Sequence, residues 1–176
     1  VAELGDAYVP LITDRSVQKH VLPAYARALD HSGRPGDATA VRRTMCEQGW
    51  ASLDDLLALE SFFKEAPVED RAAWLRLVAQ AAQGMKDAVA TGRAYALLRA
   101  TTEGVPHDAA LEETTRQLAF QCGDWAYYVE AEQRAIQALD PVAVDEKRER
   151  YRRLAEVHVH KLGNIERATT ALENAR

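Results

Sequence analysis

Apolar residues recur along this chain three and four positions apart, the spacing that lines one face of a helix. The strict apolar/polar alternation of a half-buried strand is absent. The pattern predicts helices over 1–11, 14–32, 37–48, 52–66, 68–83, 85–102, 108–121, 125–139, 142–162 and 165–176. Glycine and proline punctuate them, Gly suiting the left-handed end of a helix and Pro only its first turn. Gly33-Arg34-Pro35-Gly36 and Gly104-Val105-Pro106 read as turns, and Pro23 predicts a kink in the second helix. Ser52, followed three residues on by Asp55, reads as a variant of the N-terminal capping box.

Taken in pairs, the helices make five hairpins of roughly 35 residues, a period typical of helical solenoids. The turn glycines Gly49, Gly84, Gly123 and Gly163 are separated by 35, 39 and 40 residues. Gly49-Trp50 precedes Pro67 by 18 residues, and Gly123-Asp124-Trp125 precedes Pro141 by the same 18. A lone hairpin cannot bury its apolar face, so neighbours stack and leave an extended surface. The expectation is one all-α domain over 1–176, a stack of antiparallel helical hairpins. Both Val1 and the closing run through Leu172 and Ala175 lie inside helical patterns, so the chain reads as part of a longer one.

The last hairpin runs from Leu154-Ala155-Glu156 through Gly163-Asn164-Ile165-Glu166-Arg167-Ala168 to Leu172 and Ala175, and it resembles a tetratricopeptide repeat. The fourth is similar through Gly123-Asp124-Trp125, Ala135 and Leu139-Asp140-Pro141, with Tyr128 where that family prefers a small residue. The likeness is concentrated in these two hairpins. It implies a right-handed superhelix whose first helices line a concave groove for a peptide or a partner's helix, and it implies no chemistry. The expected role is therefore non-catalytic scaffolding of a complex through protein–protein contact. The alternative is a regulatory or sensory helical domain acting in cis within a larger enzyme or transcription regulator.

Composition narrows the partners. Hydrophobic residues make up 47% of the chain, enough for a substantial core. The net charge of −5, spread in both signs along the chain, gives no electrostatic footprint for nucleic acid. No stretch reaches the roughly 20 apolar residues needed to span a bilayer. Cys46 and Cys122 lack metal-ligand spacing and read as small apolar fillers, which favours a reduced, cytoplasmic setting. No cofactor is expected, and the oligomeric state stays open.

The register assigns groove-facing positions on the first helices. They are Thr39, Arg43 and Glu47; Arg71, Trp74 and Val78; Glu113, Gln117 and Gln121; and Arg152, Glu156 and His160. Arg and Trp are hot-spot types because they join wide contact to directional bonding. The competing reading is an ordinary solvated face, with Trp74 partly in the core. Trp50 and Trp125, beside turn glycines, are expected to pack between hairpins. Phe62-Phe63 and Tyr127-Tyr128 each place one ring inward and one nearer the surface.

His158 and His160 stand two apart on a helix and so point to opposite sides, which argues against a metal pair. The run Asp145–Arg153 carries Glu146/Arg150 and Glu149/Arg153 at i,i+4, the spacing of an exposed, pair-stabilised helix. Gly-rich phosphate loops, Gly-x-Ser-x-Gly elbows and Cys-x-x-Cys pairs are missing from the sequence, and the chain is not expected to be an enzyme.

Overall fold

The structure, a computed structural model, describes residues 2–101 and 108–176, and among these the chain is all-α. The predicted turn at Gly104-Val105-Pro106 and the neighbouring His107 lie outside the described residues. Contacts divide the chain into two compact units, Val1–Pro106 and His107–Arg176, and each is described by itself.

The first unit opens with α1 (Ala2–Tyr8), a 3-10 turn (Val9–Leu11), α2 (Arg15–His31) and α3 (Pro35–Glu47). Asp14 caps α2 by accepting from the Ser16 backbone N–H at 2.8 Å, and α2 runs unbroken through Pro23. Pro35 takes the first turn of α3, where its missing N–H costs nothing. Consecutive helices α2 and α3 pack together, burying Leu29, Ala38 and Met45. α6 (Val68–Ala82) and α7 (Ala88–Thr101) pair in the same way. Asp87 starts α7 three residues later than the periodicity suggests, because its side chain accepts from the Val89 N–H at 2.9 Å.

The helix expected over 52–66 is instead two short ones, α4 (Leu53–Leu57) and α5 (Glu60–Lys64). Ser52 and Asp55 form the predicted capping box at the start of α4. The break between the two has a physical cause. The Leu56 carbonyl accepts both the Leu59 N–H at 3.1 Å, in a tightened turn, and the indole N–H of Trp74 at 3.0 Å. A side chain inserted into the helical ladder bends it there. The bend carries Leu59 fully into the core.

The second unit contains α8 (Ala109–Cys122), α9 (Trp125–Ala138), α10 (Val144–His160) and α11 (Ile165–Asn174), with α8 packed on α9, α9 on α10 and α10 on α11. Asp108, Asp124 and Asn164 cap α8, α9 and α11 through their side-chain oxygens. Leu118, Ala119, Tyr128, Ala131, Leu154 and Val157 form its core.

The turn glycines do what their spacing implies. Gly49 and Gly123 adopt φ of 71° and 75°, the left-handed region that a Cβ disfavours. The next residue then closes the helix end in each case, Trp50 N–H onto the Met45 carbonyl at 2.8 Å and Asp124 N–H onto Ala119 at 3.0 Å. Gly84 and Gly163 share the positive φ.

Candidate functional site

Of the residues assigned to a partner face in the first unit, Arg43 and Glu47 are exposed on α3, whereas Trp74 and Val78 are buried. Trp74 is 2% exposed, so its ring is not offered to a partner, and this corrects its assignment to the face. The indole is used internally, with its N–H on the Leu56 carbonyl and its ring stacked on Phe63 at 5.1 Å and 13°. Phe63 meets Phe62 edge-to-face at 5.1 Å, and the Arg43 guanidinium lies 4.6 Å above the Phe62 ring. A ladder of four side chains thus runs from the core to the surface. Phe62 is the exposed ring of its pair and Phe63 the half-buried one, as the doublet suggests.

Beside the ladder, an open cleft of about 290 Å³ is lined by Glu60 and Lys64 of α5, Arg71 and Trp74 of α6, and Ala100 and Thr101 of α7. Arg71 is half-buried there, its Nε shut off from solvent with no hydrogen-bond acceptor among the described residues.

In the second unit Gln117, Gln121, Arg152, Glu156 and His160 are exposed, while Glu113 is half-buried and already engaged. It accepts from Arg116 at 2.5 Å and from the Gln117 amide at 2.8 Å. Burial pushes its carboxyl up, but those bonds outweigh it and hold the group below its ordinary value.

Sequence reasoning missed the charge network behind this face. Glu132 of α9 is 0% exposed, is bonded by Arg116 of α8, and lies 3.5 Å from Arg150 of α10. Arg150 also makes the predicted i,i+4 pair with Glu146 at 2.9 Å, and Arg153 makes its own with Glu149 at 3.2 Å. Arg42 is buried at the corresponding place in the first unit, bonded to Asp30 and 3.5 Å from Asp55. A signal existed: Arg42 and Arg116 each stand seven residues before a turn glycine, Gly49 and Gly123.

Trp50 and Trp125 are half-buried, and Trp125 meets Phe120 edge-on at 5.1 Å. Tyr128 is buried and Tyr127 half-buried. His158 is 1% exposed and His160 faces solvent, so the two do point apart. Among the described residues, no three His, Cys, Asp or Glu side chains stand close enough to hold a metal ion. Both cysteines are free. Cys46 is half-buried, its thiol pushed up to about 11 by burial and by Asp55 and Glu47. Cys122 is exposed at the end of α8, which corrects its reading as a buried filler. No helix among the described residues is long and apolar enough to cross a membrane.

Comparison with family models, with curated proteins and with solved structures gives no match.

Proposed function

We propose that the chain is a non-catalytic interaction module of the tetratricopeptide-like helical-repeat kind, in which the first helices of successive hairpins present a surface for a segment of a partner protein. The observation that carries the reading is the Arg43–Phe62 pair. An exposed guanidinium is held over an exposed ring, and that ring is braced through Phe63 on buried Trp74. Arg and aromatic residues supply most of the energy at interfaces, and holding them in place beforehand lowers the entropy lost on binding. Glu47 beside it, and Gln117, Gln121, Arg152 and Glu156 in the second unit, offer polar contacts of both signs.

Site-directed photo-crosslinking in the source cells tests this. Photoreactive side chains at Arg43 and Glu47 are expected to capture one common protein. The same group at Ala96 or Glu130, exposed on α7 and α9, is expected to capture none of it. Equal capture from both sets of positions would overturn the choice of face.

A further inference from the structure

We infer that the cleft between α5, α6 and α7 of the first unit is a subsite for one acidic side chain, Asp or Glu, of a bound peptide. The inference rests on the interaction reading and adds the chemistry of the ligand.

Arg71 carries it. The side chain is half-buried in the cleft wall, its Nε has lost solvent, and no acceptor among the described residues replaces the lost water. A buried donor left unmade is costly, and a guanidinium most of all, because it carries charge as well as hydrogen. The Nε atoms of Arg42 and Arg116 are likewise shut from solvent without an acceptor, but carboxylates meet the rest of each of those buried guanidinium groups. Arg42 has Asp30 and Asp55, and Arg116 has Glu113 and Glu132. Half-buried Arg71 has no carboxylate within ion-pair distance among the described residues.

Neighbouring groups decide which anion fits. Lys64 adds a second positive charge and Glu60 one negative charge, and no ion pair joins any of the three among the described residues. The described residues of the cleft therefore carry one net positive charge, which a single carboxylate balances. A dianionic phosphate would bring excess negative charge against Glu60. The guanidinium fork matches a planar carboxylate with two parallel hydrogen bonds, while Lys64 supplies a point charge at the side. A volume of about 290 Å³, open to solvent on one side, suits a side chain entering from a peptide that lies outside.

The test uses the whole chain and blocked tripeptides, followed by NMR of the Arg71 Nε–H and Trp74 indole N–H resonances. Acetyl-Leu-Glu-Leu-amide is expected to shift both resonances saturably in the millimolar range, and the Gln counterpart is not. Arg71→Gln is expected to weaken the Glu peptide at least tenfold, Lys64→Gln several-fold, and Glu60→Gln to tighten it. Unchanged indole resonances and circular dichroism check that each variant is folded. The proposal is overturned if the Gln peptide binds as well, if no acidic peptide saturates, or if Glu60→Gln weakens binding. It is also overturned if, of a wider set, only acetyl-Leu-phosphoserine-Leu-amide or a Leu-Gln-Leu tripeptide with a free C-terminal carboxylate binds. Crosslinking from Arg43 that persists while every tripeptide fails would remove this subsite and leave the interaction module standing.

Discussion

Arg116 on α8 and Glu132 on α9 form an ion pair taken out of solvent, with Glu132 0% exposed and Arg116 8%. Two charges in the interior are costly to desolvate, so the pair is sound only while complete, and Arg150 helps complete it. Glu132→Ala leaves two arginines facing an empty site and is expected to cost about 3–5 kcal/mol. The double variant Arg116→Met/Glu132→Leu is expected to recover most of that loss. Urea unfolding followed through Trp125 of the same unit measures both. A single-variant loss below about 1 kcal/mol, the scale of exposed pairs, would show that the pair is solvated.

His158 gives the second unit an acid-sensitive core. Burial is the main cause holding its pKa below the ordinary 6.5, with the Arg167 charge adding to it. The unfolded chain therefore takes up a proton before the folded chain does. Stability is fully present above about 6.5 and falls as pH drops from there towards the folded pKa. Thermal unfolding of the native chain is expected to shift down between pH 7.5 and 5.5, and His158→Leu is expected to flatten that dependence. An equal slope in both would place the acid sensitivity elsewhere.

Gly49 and Gly92 are expected to respond oppositely to alanine. At Gly49 nothing stands within 4 Å of an added Cβ, but φ is 71°, so the cost is conformational and about 1–2 kcal/mol. Gly92 lies inside α7 with no such φ and equal room, so Gly92→Ala is expected to stabilise by about 0.5–1 kcal/mol. Opposite shifts in melting temperature confirm the two backbone states. Shifts of the same sign contradict them.

Trp74→Phe removes the donor that bends the chain between α4 and α5. The expected loss is about 1–2 kcal/mol, from one buried hydrogen bond and the volume vacated around it. Hydrogen exchange is expected to quicken first at Leu59 and Phe63. Unchanged protection there would mean that the break does not depend on the indole.

Most helix boundaries were legible because periodicity, capping residues and turn glycines agree at each of them. Gly33, Gly49, Gly84, Gly123 and Gly163 all carry the positive φ their positions call for. The break after Leu57 was not legible, because its cause, the Trp74 indole, lies far along the chain from it. The same register that set Arg43 on the surface also set Trp74 there, since spacing along one helix cannot tell which flank a neighbouring helix will cover. Burial of Arg42, Arg116 and Glu132 was hidden because charged side chains are ordinarily outside, and the carboxylates that make it affordable come from other helices or loops. The cleft at Arg71 depends on three helices meeting, and Glu60 and Lys64 carry no distinguishing local signal.

The central claim is that Arg43 and its neighbours hold a partner. Affinity capture from lysate of the source cells tests it, comparing the native chain with Arg43→Glu after circular dichroism shows both helical. One protein is expected to be retained by the native chain and lost with the variant, and the purified protein is expected to bind the native chain with at least tenfold higher affinity. The same protein retained equally by both forms would contradict it.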